Sequence, residues 1–302
     1  MAACLILNAD DFGLTRGINR AIAELHAAGA LTSATLMATG PAFDDAVAIA
    51  HANPSFGIGC HIVLTDGKPA APLDKIPSLL GPDRKTFRPK LSSFLLDLSR
   101  GTISEGEVLI EALWQIRKLQ SAGIAITHLD THKHTHIWPT VARPLLHAAQ
   151  ITGIHAIRNP FEQQWSLRLG AGSLSRNLQL RLIQNLRPRF LALPQIASGL
   201  LRTTAGTIGI SATGNLNATT LDALLANLPE GTWELCCHPG YNDADLDAIT
   251  TRLRDHRDTE RLALLAAFSQ DSANPSAPHL INYEALSIPY SLLPIPCERS
   301  EP

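Results

Sequence analysis

The stretch Thr127-His128-Leu129-Asp130-Thr131-His132-Lys133-His134-Thr135-His136 constrains this chain more than any other. Four of its twelve histidines fall within nine residues, with an aspartate among them. All five of these groups occupy even positions, so an extended backbone would aim them at one face. Ile124-Ala125-Ile126 upstream is β-prone, and Trp138-Pro139 downstream opens a helix. A strand running from Ile124 through His136 would be about 40 Å long at about 3.3 Å per residue, too long for an ordinary sheet. The strand is therefore predicted to end near Asp130, leaving the last histidines on the loop at its C-terminal end. In α/β folds chemistry collects at that edge. A merely solvated His-rich loop is the simpler account, and it weakens if other strand ends carry matching ligands.

At 302 residues the chain suits one large α/β domain, and 45% hydrophobic residues supply a core. A net charge of −2 argues against a dedicated nucleic-acid binder. No apolar run is long enough to span a bilayer. Met1 to Asn8 lacks a basic region and reads as a first strand, not a secretory signal. The five cysteines have no framework spacing, and Cys4, Cys60, Cys236 and Cys237 lie in apolar runs. Reduced, buried thiols in a cytoplasmic protein fit this pattern. Neighbours on a strand face opposite ways, which argues against Cys236 and Cys237 jointly binding metal.

Ala3 to Asn8 is a short apolar run ending in Asp10-Asp11. Adjacent carboxylates raise each other's pKa, and a metal ion would resolve the conflict. A helix cap ahead of the predicted helix, Gly17 to Ala28, would need only one of them. Leu31 to Met37 is a second predicted strand, Asp44 to Ala52 a helix, and Phe56 to Leu64 a strand that carries His61. An isolated histidine in such a run is more often a satisfied core residue than a ligand. Thr65 to Ser99 reads as a long loop. Ser104 caps a helix to Ala122 with Glu107 in a capping-box position. Pro139 to Thr152 is helical, and Ile154 to Arg158 is another short strand. Alternation resumes with a strand Thr207 to Ser211, a helix Thr219 to Leu228 and a strand Thr232 to Cys237. That last strand delivers His238-Pro239-Gly240-Tyr241. Asp243, Asp245 and Asp247 precede a long helix to about Phe268, where the dipole favours them. Leu280 to Tyr283 is a final short strand. This order signals a parallel sheet or barrel.

Between Phe161 and Arg202 the character changes. Arg168, Arg176, Arg181, Arg187, Arg189 and Arg202 face one acid, Glu162, amid leucine-rich helical spacing. An amphipathic insertion with a solvated basic face accounts for this, as does a lid or docking surface for an anionic or lipid-linked partner.

Parallel strands would bring Asp10-Asp11, His61, His128 to His136 and His238 to one rim. An aspartate and two histidines commonly hold a divalent metal with positions left open. Such an ion makes hydroxide available at neutral pH. A second carboxylate can take the water's proton and a histidine can give one to a leaving group. These are the parts of a hydrolase for an amide or ester.

Asn8-Ala9-Asp10-Asp11-Phe12-Gly13, Gly59-Cys60-His61, the block Thr127 to His136, and Cys237-His238-Pro239-Gly240-Tyr241 resemble the YdjC-like carbohydrate deacetylases. That group includes chitooligosaccharide deacetylases and deacetylases associated with hopanoid biosynthesis. The resemblance runs from Leu5 to about Leu265 in the family's order. It implies an irregular (β/α), TIM-like barrel related to polysaccharide deacetylases, here one domain over residues 1–285. That domain carries the Arg-rich helical insertion at about 161–206 and is followed by an irregular Pro-rich tail, 286–302. It implies acetyl removal from an N-acetylated saccharide or glycolipid. By position, Asp11, His61 and His132 would bind one divalent metal, Asp10 would be the general base and His238 the general acid. Magnesium is often given for the family, whereas two imidazoles suit zinc or another transition metal better, so the identity of the ion stays open.

Arg158, ending a strand on the same rim, is read as a partner for Asp10 or for a sugar hydroxyl, or as an ordinary ion pair. Lys133 stands where some relatives carry histidine and receives no role, nor do His134 and His136. His26, His51, His147 and His256 are expected to face solvent. A homodimer would suit the family, and peripheral membrane attachment follows only if the substrate is lipid-linked. Two alternatives stand beside this reading: a two-His-one-carboxylate oxygenase, and a catalytically silent sugar-binding barrel.

Overall fold

The computed structural model describes residues 3–169, 174–268 and 278–287. Among the described residues seven strands form one sheet: β1 (Ala3–Phe12), β2 (Ser33–Leu36), β3 (Gly57–Ile62), β4 (Ile126–Thr131), β5 (Gly206–Ile208), β6 (Gly231–Cys237) and β7 (His279–Leu280). Their order is β4-β3-β2-β1-β6-β5, with β7 added against β1, and every pairing is parallel. Parallel neighbours need crossover connections, and helices such as Arg16–Ala27, Glu105–Ser121 and Pro139–Thr152 supply them. Isolated parallel bridges Leu129↔Ile157 and Ala156↔Arg202 carry the ladder onward from β4 toward the chain that leads into β5. The sheet is thus curled and barrel-like, with no regular strand at Ile154 to Arg158.

Strand alternation sorts the residues into two sets. Leu5, Leu7 and Ala9 of β1, Ile58 and Cys60 of β3, Leu129 of β4 and Leu235 of β6 face outward into the main core under the helices. Cys4 and Ile6 face inward and pack with Ala156, Ile281 and Tyr283, which fill the bottom of the curl. Continuing the inward parity gives Asn8 and Asp10, Thr35, His61, His128 and Asp130, Thr207, and Glu234, all buried. The interior is therefore apolar below and ionic above. Gly59 shares the inward parity, and a Cβ there would lie 2.5 Å from Cε1 of His128. The glycine in the Gly59-Cys60-His61 motif makes room for that ring.

Several boundaries differ from the sequence expectation. β1 runs on through Asp10, Asp11 and Phe12, with a register shift between Ala9 and Phe12. The predicted loop from Thr65 to Ser99 contains a helix, Leu91–Ser99. Phe94 is buried, and Leu91, Leu95 and Leu98 pack beside it at helical spacing, which the surrounding Pro and Gly residues disguise. The acidic helix divides into Ala244–Asp247 and Asp255–Phe268, and Asp243 caps the first. The 161–206 stretch forms helices Gln164–Leu169, Leu174–Ile183, Arg187–Leu191 and Pro194–Ala197, the last two opened by prolines. Its one acid, Glu162, is buried and accepts from the Ser166 and Ser211 hydroxyls and the Ser211 amide. Residues 283–287 form a short 3-10 turn, and the Pro-rich tail beyond 287 lies outside the described residues. Cys4, Cys60, Cys236 and Cys237 are buried and unbridged, as expected. His51, His147 and His256 are exposed, whereas His26 is half-buried and stacks on Phe56 with ring centroids 4.2 Å apart. Among the described residues no helix is long and apolar enough to cross a membrane.

Candidate active site

The C-terminal ends of β1, β3, β4 and β6 open into a cavity of about 870 Å³ whose lining includes Asp10, Asp11, His132, His134 and His238. Two successive aspartates reach it because β1 is irregular there. Neighbours on a regular strand face opposite ways. The register shift and a left-handed Asp11 (φ 65) turn the second carboxylate to the same mouth. Holding a non-glycine residue so costs about 1–3 kcal/mol, the kind of strain found at functional sites. Neither aspartate caps the next helix, because Thr15 does, accepting from the Ile18 amide.

Asp11, His61 and His132 converge. His61 Nε2 lies 3.3 Å from His132 Nδ1. Asp11 Oδ1 lies 3.5 Å from His132 Nδ1 and 3.9 Å from His61 Nε2. A tetrahedral ion with bonds of about 2.1 Å would hold its donors about 3.4 Å apart, so the triangle fits an ion at its centre. His61 is also oriented for the task. Its Nδ1 is 2.7 Å from Asp130 Oδ1, and a carboxylate only accepts, so in the neutral ring the Nε2 lone pair faces the triangle.

The electrostatics ask for a cation as well. Asp10, Asp11, Asp130, Glu234 and Glu260 are all buried, against two buried guanidiniums, Arg158 and Arg257. Burial opposes the charged form of His61, yet Asp130, Asp10 and Asp11 overcome it and raise the imidazole to about 9. The pocket draws positive charge onto this ring. Burial works against ionisation of Asp10 and Asp11 too, but Arg158 beside the first and Arg257 beside the second hold both well below the usual carboxylate range. Burial pushes Glu260 up to about 7, with a smaller push from Asp10, despite the amides of His238 and Gly214 and the charge of Arg257.

Arg158 is fully buried and organises the interior. It meets Asp10 through two nitrogens at 2.7 and 3.0 Å, Asp130 at 2.5 Å, and Glu234 at 2.6 Å. It does not line the cavity. Glu234 accepts in turn from the hydroxyls of Thr207 and Tyr283. Arg257 donates to Asp11 at 2.6 Å and to the His238 carbonyl at 3.4 Å. His238 Nε2 lies 3.8 Å from Asp10 Oδ2, and its amide donates to Glu260 at 2.6 Å. Burial, with help from Arg257 and Arg158, lowers the His238 imidazole to about 4 although Asp10 and Asp11 oppose this, so the ring rests neutral.

Two other groupings have metal-ligand spacing, Asp10 with Cys236 and His238, and Asp10 with His61 and Asp130. Both depend on Asp10, whose oxygens are already engaged by Arg158. Burial and Asp10 also hold the Cys236 thiol well above its ordinary pKa, so it keeps its proton.

The remaining histidines of the block separate by position. His128 faces inward and stacks on Tyr283, ring centroids 3.6 Å apart. His134, left-handed like Lys133, lines the cavity, and Lys133 pairs with Asp66 at 3.1 Å. His136 turns back: Thr131 Oγ1 lies 2.7 Å from its Nδ1, and its Nε2 donates to the Arg158 carbonyl at 3.2 Å. It is thus a structural clasp. Asp130, Glu234, Arg257 and Glu260 are participants to which the sequence assigned no role. Asp130 shared the even parity of its block, whereas Arg257 and Glu260 resemble ordinary helix charges until the fold is seen.

Fold and site together define a parallel α/β, barrel-like protein with a metal-ligand constellation at its C-terminal mouth. The profile of the YdjC-like protein family matches residues 4–274, and the chain belongs to that family. A carbohydrate deacetylase of Brevibacillus brevis is 36% identical over 146 residues, a match covering 48% of this chain and 55% of that protein. A carbohydrate deacetylase of Thermoanaerobacter pseudethanolicus is 27% identical over 260 residues, covering 86% of this chain and 90% of the relative. In three dimensions the chain is similar to a crystal structure from Enterococcus faecalis V583, described provisionally as a cellobiose-phosphate cleavage protein. That likeness has a TM-score of 0.74 at 24% identity and covers 95% of this chain and 99% of that one.

Proposed function

We propose that this chain is a metal-dependent carbohydrate N-deacetylase, removing acetyl groups from N-acetylglucosamine-containing saccharides or glycolipids. Its fold would then be an irregular (β/α) barrel forming one domain, with the helical stretch at about 161–206 as an insertion beside the pocket. The observation that carries this reading is the triangle of Asp11, His61 and His132 at the cavity of a YdjC-like chain. A divalent ion held there, zinc by donor chemistry or magnesium by family habit, would polarise the amide carbonyl and lower the pKa of water toward about 7.

The chain's own residues handle the protons. Asp10 stays ionised under Arg158 and is fixed in direction by two nitrogens, which makes it an oriented acceptor for the proton leaving water. His238 starts neutral, so it must collect that proton before it can act as an acid. Asp10, 3.8 Å away, stabilises the imidazolium in between. The proton then passes to the nitrogen as the C–N bond breaks, and acetate and a free amine result. Neither the oxygenase nor the silent-barrel alternative draws support from the relatives.

The test is acetate and amine release from N-acetylated saccharides. Chelation should abolish it and a divalent ion should restore it. Asp10→Asn should retain metal and lose turnover by about 10²- to 10⁴-fold. Undiminished turnover in rigorously metal-free protein would refute the scheme.

A further inference from the structure

Helix Leu174–Ile183 has two faces with different fates. On its inner face Arg176 donates to the Ile210 carbonyl at 2.7 Å and lines the cavity, and Asn177 donates to the Leu167 carbonyl at 3.3 Å. On its outer face Leu174, Leu178 and Leu182 recur every four residues and are 90%, 60% and 62% exposed. Scattered exposed leucines need no explanation, but a row of three along about 12 Å of one helix does. Arg181 is exposed on the same face, and Arg168, Arg189 and Arg202 are exposed on the surrounding stretch. No acid is exposed anywhere between 161 and 206, because the single one there, Glu162, is buried.

We propose that this helix is a membrane-docking element that lays its leucine row into the surface of an anionic phospholipid bilayer. A row of leucines whose charged neighbours along the helix are all arginines has the composition of an interfacial helix. The arginines choose the occupant. A second copy of the chain would bring the same acid-free, cationic surface against itself, whereas an anionic bilayer supplies the opposite charge. Because Arg176 on the inner face of the same helix lines the cavity, docking would set that wall of the site next to the bilayer. The inference does not depend on the deacetylase reading, since binding can be measured in catalytically dead protein.

The experiment is flotation of the full chain with vesicles of phosphatidylcholine alone and of phosphatidylcholine mixed with phosphatidylglycerol. Wild type and Asp10→Asn should both float with the mixed vesicles and remain behind with the neutral ones. The triple variant Leu174→Gln, Leu178→Gln, Leu182→Gln should lower partitioning at least about tenfold. Arg181→Gln with Arg189→Gln should lower it about fivefold per charge, and the matching Lys pair should restore it. Circular dichroism and thermal melting confirm that each variant is folded, which surface positions should permit. Equal binding to neutral vesicles, no binding to mixed ones, or a triple variant that binds like wild type overturns the proposal. So does a wild-type dimer in equilibrium sedimentation that the triple variant dissolves, since a second copy would then cover the leucines.

Discussion

Asp130→Asn is the sharpest probe of how the site is built. The substitution preserves shape and removes one charge, so its effect isolates what the carboxylate does. In the native protein Oδ1 accepts from His61 Nδ1 at 2.7 Å, and Oδ2 lies 2.5 Å from Arg158 Nη1 and accepts from Thr35 at 3.3 Å. An asparagine cannot serve both neighbours. With its oxygen toward His61, its amide nitrogen confronts the guanidinium, donor against donor. Flipped, the nitrogen faces His61 Nδ1 and favours the tautomer with the proton on Nε2, the atom that must point its lone pair at the ion. Either arrangement weakens the triangle. Loss of such an outer carboxylate typically lowers metal affinity 10- to 100-fold, or about 1.4–2.7 kcal/mol. Competition against a chromophoric chelator near neutral pH reads this directly, with zinc as the probe ion. His132→Ala, which removes a donor outright, should lose more. Affinity in Asp130→Asn within about twofold of wild type would mean that His61 is not oriented as described, and the ligand assignment would fall with it.

Two further outcomes follow from the buried charges. Arg158→Met leaves Asp10, Asp130 and Glu234 facing one another without a cation, so urea unfolding should show a loss of about 3–5 kcal/mol. A stability within about 1 kcal/mol of wild type would show that water or protons already neutralise that cluster. His136 is held to about 3 by burial and by the Arg158 charge, although its bond to the Arg158 carbonyl opposes this. Its neutral form belongs to the fold, and the unfolded chain takes up a proton once pH drops below about 6.5. Its stabilising contribution is therefore complete above that pH and is lost at about 1.4 kcal/mol per unit as pH falls toward 3. His136→Gln should flatten the acid limb of the stability curve by one proton, and an unchanged slope would refute this account.

How much of this was legible beforehand depended on the range of the interactions. Strand and helix order followed from local periodicity, as in Pro139–Thr152, whose limits match the expectation. The grouping of Asp11, His61 and His132 followed from a topological rule together with the family resemblance, because parallel strands must end at one mouth. Where one element hid inside another's composition the sequence misled: the helix Leu91–Ser99 among prolines and glycines, and β1 continuing through two aspartates. Parity carried His128 and Asp130 to the interior, but it failed at Lys133 and His134, where left-handed backbone breaks the alternation.

The amino-acid sequence by itself determined which residue types stand at each strand end, and with them the kind of chemistry the mouth can host. Tertiary structure alone decided which charges pair. Arg158 sits 148 residues from Asp10, and Arg257 sits 246 from Asp11. Periodicity reports only whether a side chain faces inward. Which partner meets it there is settled by the curl of the sheet and by the absence of water, which makes each unpaired buried charge too costly to leave alone.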